Sequence, residues 1–163
     1  MKIETLRDLY VEQLHDLYSA ETQLVEALPK MAKAASHAQL QQAFQDHLAQ
    51  TKTHVQRLEQ IFKKIGTDPK DQKCKGMEGL IKEGSEMIKM KGDPSAIDAG
   101  LIAAAQRVEH YEIAGYGCVH TYAHQLGEEQ DARLLRLTLD EEGTTDKQLT
   151  QLAEEVINLE AAR

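Results

Sequence analysis

The segment AAAQRVEHYEIAGYG, residues 103–117, sets Glu109, His110 and Glu112 among alanines, Val108, Ile113 and Tyr116. A carboxylate on the packed face of a helix costs several kcal/mol, or takes up a proton, unless an opposite charge meets it. The same kind of interruption recurs three times. Glu21 falls in the apolar series Leu14, Leu17, Leu24 and Leu28. His47, Gln50 and His54 fall between Phe44 and Leu58, and Glu142 and Asp146 between Leu139 and Leu149. Carboxylate oxygens combined with imidazole nitrogens suit iron or manganese, with zinc possible. Two divalent cations would balance about four negative charges, so the chemistry these residues suggest is a buried dinuclear metal site.

The elements that must position them are helices. Apolar residues recur with helical spacing along nearly the whole chain, and no stretch alternates with period two. The first helix is expected over 3–34, with Pro29 as a kink or end. The second starts at Ser36, where Ser-His-Ala-Gln matches a capping box, and runs to Gly66. A loop follows over 66–76, then a short helix over 77–91. Asp93 and Pro94 supply an N-cap and first helical residue for a helix over 94–126, ended by Gly127. The last helix is expected over 128–160. Four long helices with a short one between the second and third predict an all-α, ferritin-like four-helix bundle. Its single crossover carries the extra helix and makes the second and third long helices parallel. The 163 residues suffice for one domain, read as 1–163.

Counting from the turns puts the interruptions at one depth. Glu21 lies opposite residue 50 across the first turn, and Glu112 and Glu142 are equidistant from Gly127. The common level is roughly 22 Å from the turn ends. The spacings Glu21 to Glu112, Gln50 to Glu142 and His54 to Asp146 are nearly equal. Two hairpins related by an approximate two-fold axis would have this pattern. Dinuclear bundles take one Glu from each of two helices and Glu-x-x-His from each of the other two. Glu21 and Glu112 fit the single-Glu positions. Gln50 with His54, and Glu142 with Asp146, occupy the paired ones, with a neutral Gln and with Asp where His is expected. Glu109 or His47 could substitute. Glu109 could equally orient a ligand, and His47 and His54 read equally as ligands or as hydrogen-bonded core histidines. Tyr18 and Tyr116 lie near the same level and could hydrogen-bond to ligands, with packing the simpler role. His110 points about 100° away from Glu109 and is expected to be structural. His120 and His124 lie too far along the axis to share the site.

Composition narrows the alternatives. The net charge of −8 argues against nucleic acid, which needs a basic surface. The Lys-containing stretch PKDQKCKG reads as a solvated loop. No apolar run is long enough for a bilayer, and the N-terminal MKIETLRDLYVEQL is not a secretory signal. Cys74 and Cys118 form no CxxC motif, so a reducing cytoplasm is the expected compartment. No Gly-rich strand-to-helix loop supports hydride or phosphoryl transfer.

Five stretches together carry a family resemblance: DLYSAETQLVEALPKMAKAAS, AFQDHLAQTKTHVQRLEQIF, GMEGLIKEG, LIAAAQRVEHYEIAGYG and LDEEGTTDKQLTQLAE. Over nearly its whole length the chain resembles the YciE/YciF family of bacterial ferritin-like proteins. The resemblance implies a rubrerythrin-like bundle, homodimerisation, a dinuclear metal site and a link to bacterial stress responses. Some members have LEET where this chain has LAQT at 48–51. The resemblance therefore carries over more firmly to Glu21, Glu112, Glu142 and Asp146 than to Gln50. Two functions are expected on this basis. One is a metal protein that reacts with oxygen or peroxide in a ferroxidase-like way. The other is a non-enzymatic dimeric stress or interaction module whose polar level is a structural network or holds a single metal.

Overall fold

Helix starts in this chain are set by side chains that satisfy the free N–H groups of the first turn. The computed structural model describes residues 2–69 and 72–163. Helix α1 (Leu6–Ala34) begins at Thr5, whose hydroxyl accepts from the Asp8 N–H while the Asp8 carboxylate accepts from the Thr5 N–H. Pro29 is accommodated inside α1 without ending it. Helix α2 (Ala38–Ile65) is capped by His37, one residue later than the Ser36 capping box expected from sequence. The reason is tertiary. The N–H groups of Ser36 and His37 both donate to the buried carboxylate of Asp98, at 2.9 and 2.8 Å, and this anchors the turn to the following long helix.

Helix α3 (Lys75–Lys89) starts two residues before the expected 77, because the Cys74 thiol accepts from the Met77 N–H. Of the loop expected over 66–76, Lys70 and Asp71 lie outside the described residues. Helix α4 (Pro94–Gln125) has Asp93 as N-cap and Pro94 in its first turn, as expected. Gly66 and Gly127, both at φ 74°, end α2 and α4 in the left-handed conformation that glycine adopts without strain. Helix α5 (Glu129–Leu152) passes through a π-helical turn (Ala153–Ile157) into α6 (Asn158–Ala161), so the helix expected over 128–160 runs unbroken and widens for one turn near its end. Among the described residues there is no strand, and no helix is long and apolar enough to cross a membrane.

Cross-helix contacts fix the directions. Tyr18 reaches Glu59 and His54 reaches Glu21, so α1 and α2 are antiparallel. His120 meets Ala132 and Gln106 meets Asp146, so α4 and α5 are antiparallel. His47 contacts Glu109 and the His54 ring contacts Tyr116, so an equal advance along α2 and α4 keeps them in register and they run parallel. This is the crossover topology of a ferritin-like bundle. Helix α3 makes the crossover, packed on α4 and α1. It is tied down by Cys74, whose N–H donates to Ser19 Oγ and whose thiol lies 3.0 Å from the Tyr111 hydroxyl.

The apolar core is split in two. One cluster holds Leu24, Leu28, Leu40, Phe44, Ile102 and Leu149; the other holds Tyr10, Leu14, Leu58, Ile61, Val119 and Leu135. Each long helix contributes to both, and the polar residues of each fall between its two contributions. Gly115 permits close approach of α4 to α1 at this depth, since a Cβ there would stand 2.8 Å from Leu17 Cδ2.

Candidate metal centre

Six charged or imidazole side chains meet between the two apolar clusters: Glu21 from α1, His47 and His54 from α2, Glu109 and Glu112 from α4, and Glu142 from α5. All are at most 2% exposed. They form two groups. His47, Glu109, Glu112 and Glu142 each offer a donor atom, all within 4.8 Å of one another, and so do Glu21, His54 and Glu142. Glu142 belongs to both. These groups could hold metal ions.

The imidazoles stand between carboxylates. His47 Nδ1 is 3.0 Å from Glu109 Oε1, and its Nε2 is 3.5 Å from Glu142 Oε2. His54 Nδ1 is 2.9 Å from Glu142 Oε1 and 3.3 Å from Glu21 Oε1. The Tyr116 hydroxyl donates to Glu21 Oε1 at 2.5 Å. Both oxygens of Glu112, Oε2 of Glu109 and Oε2 of Glu21 nevertheless have neither a hydrogen bond nor an imidazole contact. Buried polar atoms in folded proteins are nearly always paired, so these four unpaired carboxylate oxygens at one level are the property a cation site needs. Four carboxylates and two imidazoles are also the donor set that iron and manganese accept.

Electrostatics agree. Burial and the neighbouring carboxylates hold Glu112 well above the ordinary range. Burial, offset in part by His47, holds Glu109 up to about 8. Burial also raises Glu21. Glu142 departs from the others: burial pushes it up, but His47 and His54 outweigh burial and hold it below the usual carboxylate range. Burial alone would lower His54, yet Glu142 and Glu21 push it up to about 10. Without a cation the cluster therefore retains protons that binding a metal must release.

Two residues absent from the sequence reading orient the site. Glu141 Oε2 lies 2.9 Å from His54 Nε2, and Arg57 grips Glu141 with two hydrogen bonds of 2.6 and 2.9 Å. Arg57 keeps Glu141 ionised and its carboxylate below the usual range. Glu141 can then only accept, so His54 Nε2 carries a proton and Nδ1 faces the cluster. The signal available in the sequence was the adjacent pair Glu141–Glu142, with one acid for the site and one for its support.

Of the residues expected at the site, Glu21, His54, Glu109, Glu112 and Glu142 are brought together, with His47 joining as the substitute donor. Gln50 and Asp146 are placed elsewhere. Gln50 is half-buried, with Oε1 3.2 Å from the Thr145 hydroxyl. Asp146 accepts from Gln106 Nε2 at 3.0 Å and lies 3.3 Å from the exposed His110. The inward positions beside them are Thr51 and Thr145, both buried. Their hydroxyls donate to the carbonyls one turn back, His47 at 2.9 Å and Glu141 at 3.1 Å. A single residue turns a side chain by about 100°, which separates 50 from 51 and 146 from 145. Tyr18 donates to Glu59 away from the cluster, whereas Tyr116 is part of it. His120 is half-buried against the Ala132 carbonyl and His124 is exposed beside Glu129, so neither reaches the site.

Known proteins share this architecture. Residues 5–162 match the family described as a domain of unknown function (DUF892). The chain is 46% identical over 162 residues to Protein YciF of Escherichia coli (strain K12), covering 99% of this chain and 98% of YciF. The crystal structure of that E. coli stress protein superposes with a TM-score of 0.92, covering 96% of this chain and 99% of YciF. YcfI of Rhodopseudomonas palustris is 40% identical, with a TM-score of 0.88 over 91% of this chain and 95% of its own. A Xanthomonas campestris protein at 18% identity shares the fold, with a TM-score of 0.75 over 94% of each chain. The family match and the close YciF likeness both run nearly end to end, and the chain belongs to the DUF892 family of YciF-like helical bundles.

Proposed function

We propose that this protein is a dinuclear iron or manganese protein, zinc being the alternative ion, that reacts with oxygen or peroxide in a ferroxidase-like manner. The observation that carries the reading is the sharing of Glu142 between two donor groups in which four buried carboxylate oxygens lack any partner. Glu21, His54 and Glu142 would hold one ion; His47, Glu109, Glu112 and Glu142 would hold the other. Iron or manganese in this position supplies one-electron redox chemistry and a binding position for the oxidant. The chain's part is to fix donor geometry. Arg57 and Glu141 aim His54, Tyr116 holds one oxygen of Glu21, and the two apolar clusters keep bulk water from the ends of the site. Gln50 and Asp146 lie too far round their helices to be direct donors in this arrangement.

The Glu-x-x-His pairs of a symmetric centre are each half present: Thr51-x-x-His54 on α2 and Glu142-x-x-Thr145 on α5. His47 and Glu109, one turn away, make up the missing donors. Purified protein is expected to contain about two iron or manganese ions per chain and to consume oxygen when ferrous ion is supplied. Protein that stays metal-free when either ion is supplied overturns the reading.

A second reading has an observation of its own. The His47–Glu109 and His54–Glu142 pairs, at 3.0 and 2.9 Å, neutralise two of the four carboxylates without any ion. The bundle is then a stress or interaction module with a structural polar network or one metal. An unchanged melting temperature on adding iron or manganese is its signature. Under either reading we take the protein as a cytoplasmic homodimer. Exposed Leu137 and Leu159 and two unpaired cysteines support this, and light scattering tests the assembly.

A further inference from the structure

A cavity of about 190 Å³ lies between α1, α3 and α4. Its walls are apolar, with Leu28 and Met31 from α1, Ile81 and Ile88 from α3, and Ala104 and Val108 from α4. The space exists because two facing positions are small. A Cβ added to Gly84 would stand 3.7 Å from Met31 Sδ and 3.8 Å from Ala104 Cβ. The lining also includes exposed Glu26, Lys30 and Lys73 and buried His47 and Glu109. The cavity thus connects the surface to one of the two donor groups. An apolar cavity of about 150 Å³ is known to stay dry and to take up benzene or xenon, so this one is large enough for an organic molecule of similar size. It also exceeds what dioxygen needs.

We infer that this cavity binds a small uncharged aliphatic molecule, its apolar body lying between α1, α3 and α4. As the organic substrate class of the metal centre, the assignment rests on the proposed function; as a binding site, it does not.

The test is calorimetric titration of 1-hexanol into metal-free and manganese-loaded protein, each as wild type and Ala104→Leu. The expected result is saturable binding to the wild type, weakened at least roughly tenfold by the leucine that fills the cavity, with manganese affinity unaltered. Should Ala104→Leu fail to fold, xenon-pressurised wild-type crystals decide: a xenon atom between Met31 and Ala104 supports the site. No saturable hexanol binding, binding indifferent to Ala104→Leu, or no xenon there overturns it. Protein that takes manganese but not hexanol overturns the cavity alone. Protein that takes hexanol but no metal leaves the cavity standing and removes the metal centre.

Discussion

The imidazole of His54 turns Nε2 outward onto Glu141 at 2.9 Å. Its other nitrogen is thereby committed to the interior, where Glu142 and Glu21 meet it. Such outer partners set both the tautomer and the ring angle of a histidine ligand.

Removing that partner is expected to weaken metal binding without unfolding the bundle. Glu141 is partly exposed, and Arg57 keeps a hydrogen bond to Thr138 when Glu141 is lost. Glu141→Ala should lower affinity about 10- to 100-fold in a chelator-competition titration. An affinity equal to wild type would show that His54 is not a ligand.

Stoichiometry should separate the two donor groups. Glu142 serves both, whereas Glu21 serves one. Glu21→Ala is expected to leave about one ion per chain and Glu142→Ala close to none, by elemental analysis after desalting. Equal losses in the two variants would contradict the sharing of Glu142.

Glu112 is an acid that the metal-free fold accommodates at a cost. It is fully buried and neither oxygen is hydrogen-bonded. Glu112→Gln should raise the melting temperature of metal-free protein by a few degrees, on the order of 1–2 kcal/mol, while removing one metal. Differential scanning calorimetry with and without manganese reads both effects. A lower melting temperature without metal would mean that the carboxylate is paired there.

Stability should depend on pH with opposite slopes in the two forms. Glu109, held up to about 8, and Glu112, held well above its ordinary value by burial, stay protonated in the metal-free fold above the pH where free glutamate ionises. Their contribution is complete below about pH 4.5 and is lost as pH rises through their folded values. His54, pushed up to about 10, adds stability that is complete below about 6.5 and lost as pH rises through 10. Glu142, held low, adds stability above about 4.5 that disappears only in acid. Metal-free protein should therefore melt at lower temperature at pH 9 than at pH 5.5. With manganese present the trend should reverse, because ligand deprotonation favours the ion. Thermal melts across this range, with chelator or with manganese, check both slopes.

Much of this was legible in the amino-acid order, since it depends on local geometry. Helical period, Asp93–Pro94 and the glycines at 66 and 127 marked the long helices. Counting from the turns placed Glu21, Glu112 and Glu142 at one depth, because rise per residue is constant in a helix. Rotation about the helix is less forgiving. The separation of Glu21 and Glu112 applies unchanged to Thr51 with Glu142 and to His54 with Thr145. A separation one residue longer leads to Gln50 and Asp146, which point elsewhere.

Sequence by itself therefore determined the helices, their order, and the level at which acids and histidines interrupt the apolar stripes. Only the tertiary structure decided which of those side chains meet. His47 pairs with Glu109 because parallel α2 and α4 bring them together, and Asp98 moves the start of α2 because it reaches across to the turn. Glu141 supports His54 because Arg57 holds it there. Local backbone rules act over a few neighbours in the chain, whereas ligand geometry depends on the rotation and register of four separate helices, which their packing sets.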